Sequence, residues 1–214
     1  MKNVQALIFD IDDTIWDSTG IVADGYNSHL DKLGHPELHV TAEGLKKLFG
    51  KTMTEIADAL FPGFEPETRY EMMKGCMAEE HEFLEKDPCQ IAFPGVVETL
   101  KKLYEGYDLY VVSNSQCGYP ELMLDKLGIR DLMKGWLCFG DTDTCKGQTI
   151  LTLMERHGIR SAVYIGDTQG DLEASRYAGL PFVFCQFGFG EPAEFDASVA
   201  SFPGLLDLFP GQDV

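Results

Sequence analysis

The sequence predicts an α/β fold, a doubly wound parallel sheet of Rossmann-like form with an α-helical domain inserted after its first strand. Three observations carry that prediction. Short apolar runs rich in β-formers recur along the chain and end abruptly in polar residues, as strands buried on both faces of a parallel sheet do. Amphipathic helical segments separate them, which is the alternation that defines the α/β class. One interval of about 80 residues breaks the alternation with helical periodicity and no strand, too long for a crossover connection.

The first run, VQALIF at 4–9, stops at Asp10. The later runs are YDLYVV at 107–112, GWLCFG at 135–140, AVYIGD at 162–167 and PFVFC at 181–185. Between them, 95–105 carries Val96, Val97, Leu100, Leu103 and Tyr104, and 146–157 carries Ile150, Leu151 and Met154, both at helical spacing. Within the long interval Val22, Tyr26, Leu30 and Leu33 form one stripe, and Tyr70, Met73, Met77 and Leu84 form another. Gly34-His35-Pro36, Gly50 and Phe61-Pro62-Gly63 divide it into about four helices. The expected organisation is therefore a core domain of 1–16 and 91–214 with a helical domain at 17–90.

Composition sets outer bounds. The chain has 214 residues, of which 44% are hydrophobic and 24% charged, so it is long enough and apolar enough to bury a core. A formal charge of −18, from 17 basic and 35 acidic residues, surrounds it with a field of the wrong sign for nucleic acid or an anionic membrane. No apolar stretch approaches the roughly 18 residues of a membrane span, and the start MKNVQALIFD meets an aspartate before a secretory segment forms. A cytoplasmic protein is expected, as a monomer or homodimer. The six cysteines (Cys76, Cys89, Cys117, Cys138, Cys145, Cys185) include no CxxC pair, so reduced, mostly buried thiols are expected rather than a zinc site or disulfide framework.

Four strand ends carry the chemistry. FDIDDTIWDS, 9–18, places Asp10 and Asp12 two apart at the end of an extended segment, so both can face the crevice where open α/β sheets bind ligands. YVVSNS, 110–115, puts Ser113 and Asn114 just past a second strand, with a hydroxyl and amides suited to phosphate oxygens. Lys146 follows the third strand at the start of a helix, and VYIGDTQGD, 163–171, supplies Asp167 and Asp171, a spacing suited to Mg²⁺. Each motif alone also fits an ordinary turn, cap or surface charge.

In order and spacing these four segments resemble the haloacid dehalogenase superfamily, and the helical interval resembles the cap of its phosphoglycolate phosphatase and β-phosphoglucomutase branch. The resemblance implies a Mg²⁺-dependent phosphatase of a small phosphorylated metabolite. Asp10 would be the nucleophile that becomes an aspartyl-phosphate, and Asp12 the acid and base. Ser113 and Asn114 would hold the phosphoryl oxygens, and Lys146 would stabilise their charge. Asp10, Asp12 through its carbonyl, and Asp167 would bind the metal, with Asp171 supporting it or Lys146. Thr14 would brace the loop. FGKTMTE in the cap offers Lys51 as a contact for a second anionic group, and FGFGEPAEF at 187–195 resembles loops bordering the site. Asp13 stands where glycine is often found, and TCKGQT lacks the Lys-Pro pair common in the branch. The rival readings are a β-phosphoglucomutase-like phosphotransferase using the same residues, a dehalogenase, which would have no use for Asp12 or Mg²⁺, and a catalytically silent binding module, in which these residues would have no reason to persist.

Overall fold

The structure is a computed structural model that describes residues 4–88 and 91–210. In chain order its elements are β1 (Ala6–Phe9), α1 (Thr19–Leu33), α2 (Ala42–Lys46), α3 (Met53–Leu60), α4 (Pro66–Lys86), α5 (Val96–Tyr104), β2 (Asp108–Ser113), α6 (Tyr119–Leu127), β3 (Met133–Cys138), α7 (Phe139–Thr142), α8 (Lys146–His157), β4 (Ala162–Gly166), α9 (Gln169–Tyr177), β5 (Phe182–Cys185), β6 (Ala197–Val199) and α10 (Leu205–Leu208). The chain divides into two compact units, Met1–Trp16 with Ala92–Val214, and Asp17–Ile91.

The first unit is built on a six-stranded sheet in the order β3-β2-β1-β4-β5-β6, and every neighbouring pair is parallel. Because successive side chains alternate between faces, Ala6 and Ile8 of β1 join Tyr110, Val112, Ala162 and Tyr164 in one apolar layer, closed by Ile150 and Leu153 of α8 and Leu172 of α9. The intervening residues serve the other face, where Phe9 stacks on Phe202 at 5.9 Å between ring centroids. Burial on both faces is the reason the strands read as continuous apolar runs. The expected strands at 107–112 and 135–140 lie one and two residues off, at Asp108–Ser113 and Met133–Cys138. The polar Ser113 extends β2 because it still pairs with Cys138, and Phe139 turns instead into α7. The sixth strand was not expected, since a three-residue strand is too short to show a period.

The second unit is helical. Gly34, at φ 80°, closes α1 in the left-handed conformation that glycine adopts without a Cβ penalty. Thr52 caps α3 in a reciprocal box with Glu55. Val22, Tyr26 and Leu30 of the expected α1 stripe are buried, but Leu33, near the helix end, is exposed. On α4 the buried side is formed by Met72, Met73, Cys76, Glu80 and Leu84. Tyr70 is exposed and Met77 half-buried, so this side is rotated roughly 60° from the expected stripe at 3.6 residues per turn. The shift comes from Met72 and Cys76, which are buried where Tyr70 and Met77 were expected, and the inner face also takes the carboxylate of Glu80, which apolar character alone could not place there.

The approach of α1 to α4 depends on Gly25, where a Cβ would fall 2.9 Å from both the Cα and the backbone nitrogen of Glu80. Gly25→Ala gains about 1 kcal/mol of helix propensity, yet backbone that cannot yield makes overpacking worth about 1–3 kcal/mol. The variant is expected to melt at a lower temperature than the parent. An unchanged or raised melting temperature would mean that the two helices do not approach this closely.

Candidate active site

The candidate site lies at the carboxyl ends of β1, β2 and β4, where the order of the sheet reverses. Open α/β sheets form their ligand crevices at such switch points. Strand register places the residues: Phe9 pairs with Val111 on one side and Ile165 on the other. Asp10 is thus level with Val112 and Gly166, and Ser113 and Asp167 stand one residue further out, flanking it.

Lys146, the first residue of α8, points into this crevice. Its ammonium donates to Asp10 Oδ1 at 2.7 Å and Asp171 Oδ1 at 2.6 Å, with all three side chains almost fully buried. Burial acts against its charge, but Asp10 and Asp171 outweigh it and hold the Lys146 pKa well above the ordinary value. Asp171 carries more than this pair. Its Oδ2 accepts from the Asp167 amide at 3.2 Å, the Thr168 amide at 3.0 Å and the Thr168 hydroxyl at 2.7 Å, while Thr168 caps α9 in return. Burial would raise its pKa, but Lys146 and these donors keep it below the usual carboxylate value.

Asp167 is fully buried. Its Oδ2 accepts from the amides of Phe189 and Gly190 at 2.9 and 3.1 Å, whereas its Oδ1 has no hydrogen-bond partner among the described residues. That gives the 187–195 loop a definite task. The loop passes so close that a Cβ on Gly188 would fall 2.4 Å from the Asp167 Cβ, and one on Gly190 2.2 Å from the Asp167 carbonyl oxygen. Burial, then the neighbouring Asp171, push the Asp167 pKa up to about 7. Burial likewise raises Asp10 well above the ordinary value, against the pull of Lys146.

Carboxylate oxygens of Asp10, Asp167 and Asp171 lie within 4.8 Å of one another. A buried, bare Asp167 Oδ1 beside a second carboxylate is an unfavourable arrangement that a hard cation relieves, so the donor set fits Mg²⁺. Asp12 stands apart from this cluster. Its Oδ1 accepts from the Tyr119 hydroxyl at 2.6 Å and the Trp16 indole at 3.1 Å, and the two rings pack edge to face. A tight turn aims it: the Asp13 amide donates to the Trp16 carbonyl at 2.8 Å. Asp13 adopts φ 63° there, the left-handed conformation that glycine takes freely and aspartate tolerates, which explains both residue types at this position. Thr14 is fully buried in the same turn.

The Ser113 hydroxyl accepts from the Ser115 amide at 3.1 Å, which turns the chain beyond β2, and Asn114 is half-buried in that turn. Lys51 belongs to the helical unit, exposed in the turn before α3. The groups not anticipated are Tyr119, Trp16, Thr168 and the Phe189 and Gly190 amides. Trp16 lay inside the first motif, but nothing in the spacing related Tyr119 or the amides to the site.

A family model for haloacid dehalogenase-like hydrolases matches residues 7–185. The chain belongs to that family of hydrolases and is an enzyme. Curated relatives include the phosphoglycolate phosphatase of Pseudomonas putida, 24% identical over 227 residues that cover 97% of this chain and 79% of the relative. That of Synechococcus elongatus is 27% identical over 192 residues, covering 88% of this chain and 86% of the relative. Among solved structures, a haloacid dehalogenase-like hydrolase from Streptococcus pneumoniae superposes with a TM-score of 0.83 at 21% identity, covering 98% of this chain and 100% of that one. CbbY from Rhodobacter sphaeroides, in complex with phosphate, gives 0.80 at 17% identity, covering 94% and 96%. These structures share the fold. Among the described residues no helix is long and apolar enough to cross a membrane.

The raised carboxylates set a sign for stability in chelator. Between about 4 and 7 the folded protein holds a proton on Asp167 that the unfolded chain, near the ordinary 3.8, has released. The native state binds more protons in that window, so stability falls as pH rises through it. Denaturant titrations of metal-free protein should show that decline, and Asp167→Asn should lessen it, leaving the share that the raised Asp10 contributes. A slope that the substitution leaves untouched would assign the decline to other groups.

Proposed function

We propose that the protein is a Mg²⁺-dependent phosphatase of a small phosphorylated metabolite, with 2-phosphoglycolate the first candidate because the curated relatives are phosphoglycolate phosphatases. The observation that carries the reading is the buried trio in which Lys146 bridges Asp10 and Asp171 beside the bare oxygen of Asp167. Asp10 attacks phosphorus and forms an aspartyl-phosphate, dividing one difficult displacement into two easier ones. Lys146 keeps Asp10 oriented and offers positive charge to the equatorial oxygens, and Ser113 and Asn114 bind those oxygens from the end of β2. Asp10, Asp167 and the Asp12 carbonyl would hold Mg²⁺, with Asp171 behind them, and the bound ion would neutralise charge between nucleophile and phosphoryl group. Asp12 protonates the departing alcohol and then takes a proton from the attacking water. In this reading the helical unit is the cap, and Lys51 is a candidate for a second anionic group of the substrate.

The test is phosphate release from a panel of phosphorylated metabolites, 2-phosphoglycolate included, with and without Mg²⁺. Asp10→Asn should retain less than about a tenth of the parent kcat, a barrier rise above ~1.4 kcal/mol, and excess chelator should abolish turnover. Activity that survives either change overturns the reading. A phosphotransferase would instead move the phosphoryl group to a sugar without releasing it.

Tyr119 and Trp16 act through Asp12. By holding its carboxylate in one rotamer they fix the path of the proton, and loss of such a contact is felt in turnover more than in binding. Tyr119→Phe should lower kcat by about tenfold with KM little changed. In single-turnover alcohol release the loss should be larger for an alkyl phosphate than for p-nitrophenyl phosphate, whose leaving group departs without a proton. Equal losses on both substrates would place Tyr119 in support of the fold rather than of Asp12.

A further inference from the structure

The ends of β2 and β3 bring together two cysteines far apart in the sequence. Cys117 lies in the turn between β2 and α6, and Cys138 is the last residue of β3. Ser113 pairs with Cys138 across the two strands, so the turn that follows Ser113 meets the end of β3. The backbones close tightly: the Gly140 amide donates to the Ser115 carbonyl at 3.2 Å, and a Cβ on Gly140 would fall 2.5 Å from the Cys117 nitrogen and 2.8 Å from its sulfur. Asp141 faces both thiols. Its Oδ1 is 3.6 Å from Cys117 Sγ and its Oδ2 3.1 Å from Cys138 Sγ. Ligand atoms of the three residues all lie within 4.8 Å, with Cys138 buried and Cys117 and Asp141 exposed.

We propose that Cys117, Cys138 and Asp141 form a binding site for a thiophilic divalent cation of the zinc class, separate from the oxygen-only cluster at Asp10. Tetrahedral zinc, with bonds of about 2.3 Å to sulfur and about 2.0 Å to a carboxylate oxygen, sets those ligands roughly 3.5 Å apart. The observed 3.1 and 3.6 Å run to the two different oxygens of Asp141, and one oxygen of that carboxylate lies within 4.8 Å of both sulfurs, so small side-chain adjustments reach that spacing. Thiolates select soft or borderline cations over Mg²⁺, and the exposed side leaves room for water as a fourth ligand. The Cys138 amide, donating to Asp141 Oδ2 at 2.9 Å, orients the carboxylate from behind. Without a cation, burial and Asp141 raise both thiol pKa values, so the thiols are protonated and binding displaces their protons. The expectation of no zinc site rested on the missing CxxC, a pattern that sees only ligands adjacent in sequence. Occupancy ties the turn running from Ser113 to Tyr119 to the end of β3.

The test is titration of the reduced, chelator-treated full chain with Cd²⁺, following the ultraviolet thiolate-to-metal charge-transfer band and proton release. A single equivalent should bind with the band of two thiolates, and Zn²⁺ should displace it. Cys117→Ser should remove most of the band, and both it and Asp141→Asn should weaken binding by at least about tenfold, since loss of even an outer contact to a metal ligand has that effect. Both positions are exposed, so the fold should tolerate the changes. Carboxylates give no such band, so the result is independent of the phosphatase reading. A reduced protein with no band, a band unchanged in both variants, or a Cys117–Cys138 disulfide in a chain whose reduced form ignores Cd²⁺ would each overturn the proposal.

Discussion

The buried ammonium of Lys146 is the interaction on which the rest of the site depends. Asp10, Asp167 and Asp171 are withdrawn from water within a few ångströms of one another, and carboxylates so placed repel and resist ionisation. Lys146 contacts Asp10 and Asp171 together, which leaves Asp167 as the carboxylate of the three that Lys146 favours only from a distance. Removing one partner of a buried pair leaves an uncompensated charge and typically costs about 3–5 kcal/mol, so the lysine is as much a structural member as a chemical one. The same electrostatics explain why the carboxylate cluster suits a divalent cation, since the remaining imbalance sits on Asp167.

Backbone organises around this charge. Asp171 binds the Asp167 and Thr168 amides and joins the capping box of α9, so one carboxylate both starts a helix and grips the lysine. The Phe189 and Gly190 amides hold Asp167 from the opposite side, at a separation only glycine permits at Gly188 and Gly190. Each element reaches the site because a parallel strand delivers its end there, and the pairings of β1 with β2 and β4 set Ser113 and Asp167 on either side of Asp10. The attachments of the turn that leaves Ser113 include Tyr119 to Asp12 and Cys117 to Asp141. A change at either is therefore felt next to the residue proposed to bind phosphate.

The sequence by itself determined the fold class and the strand ends that bear Asp10, Ser113 and Asp167, because apolar runs bounded by polar residues record burial on both faces of a sheet. It also marked Lys146 and Asp171, though by type and order rather than by contact. Only the tertiary structure decided that Lys146 bridges Asp10 and Asp171, that Asp12 is held by Trp16 and Tyr119, and that Glu80 belongs to the inner side of α4. It alone brought Cys117 to Cys138 and the amides at Phe189 and Gly190 to Asp167. The physical reason is the same throughout: periodicity and spacing report what a residue's own segment buries, whereas a hydrogen bond, ion pair or ligand set between distant segments exists only once the register of the sheet has brought those segments together.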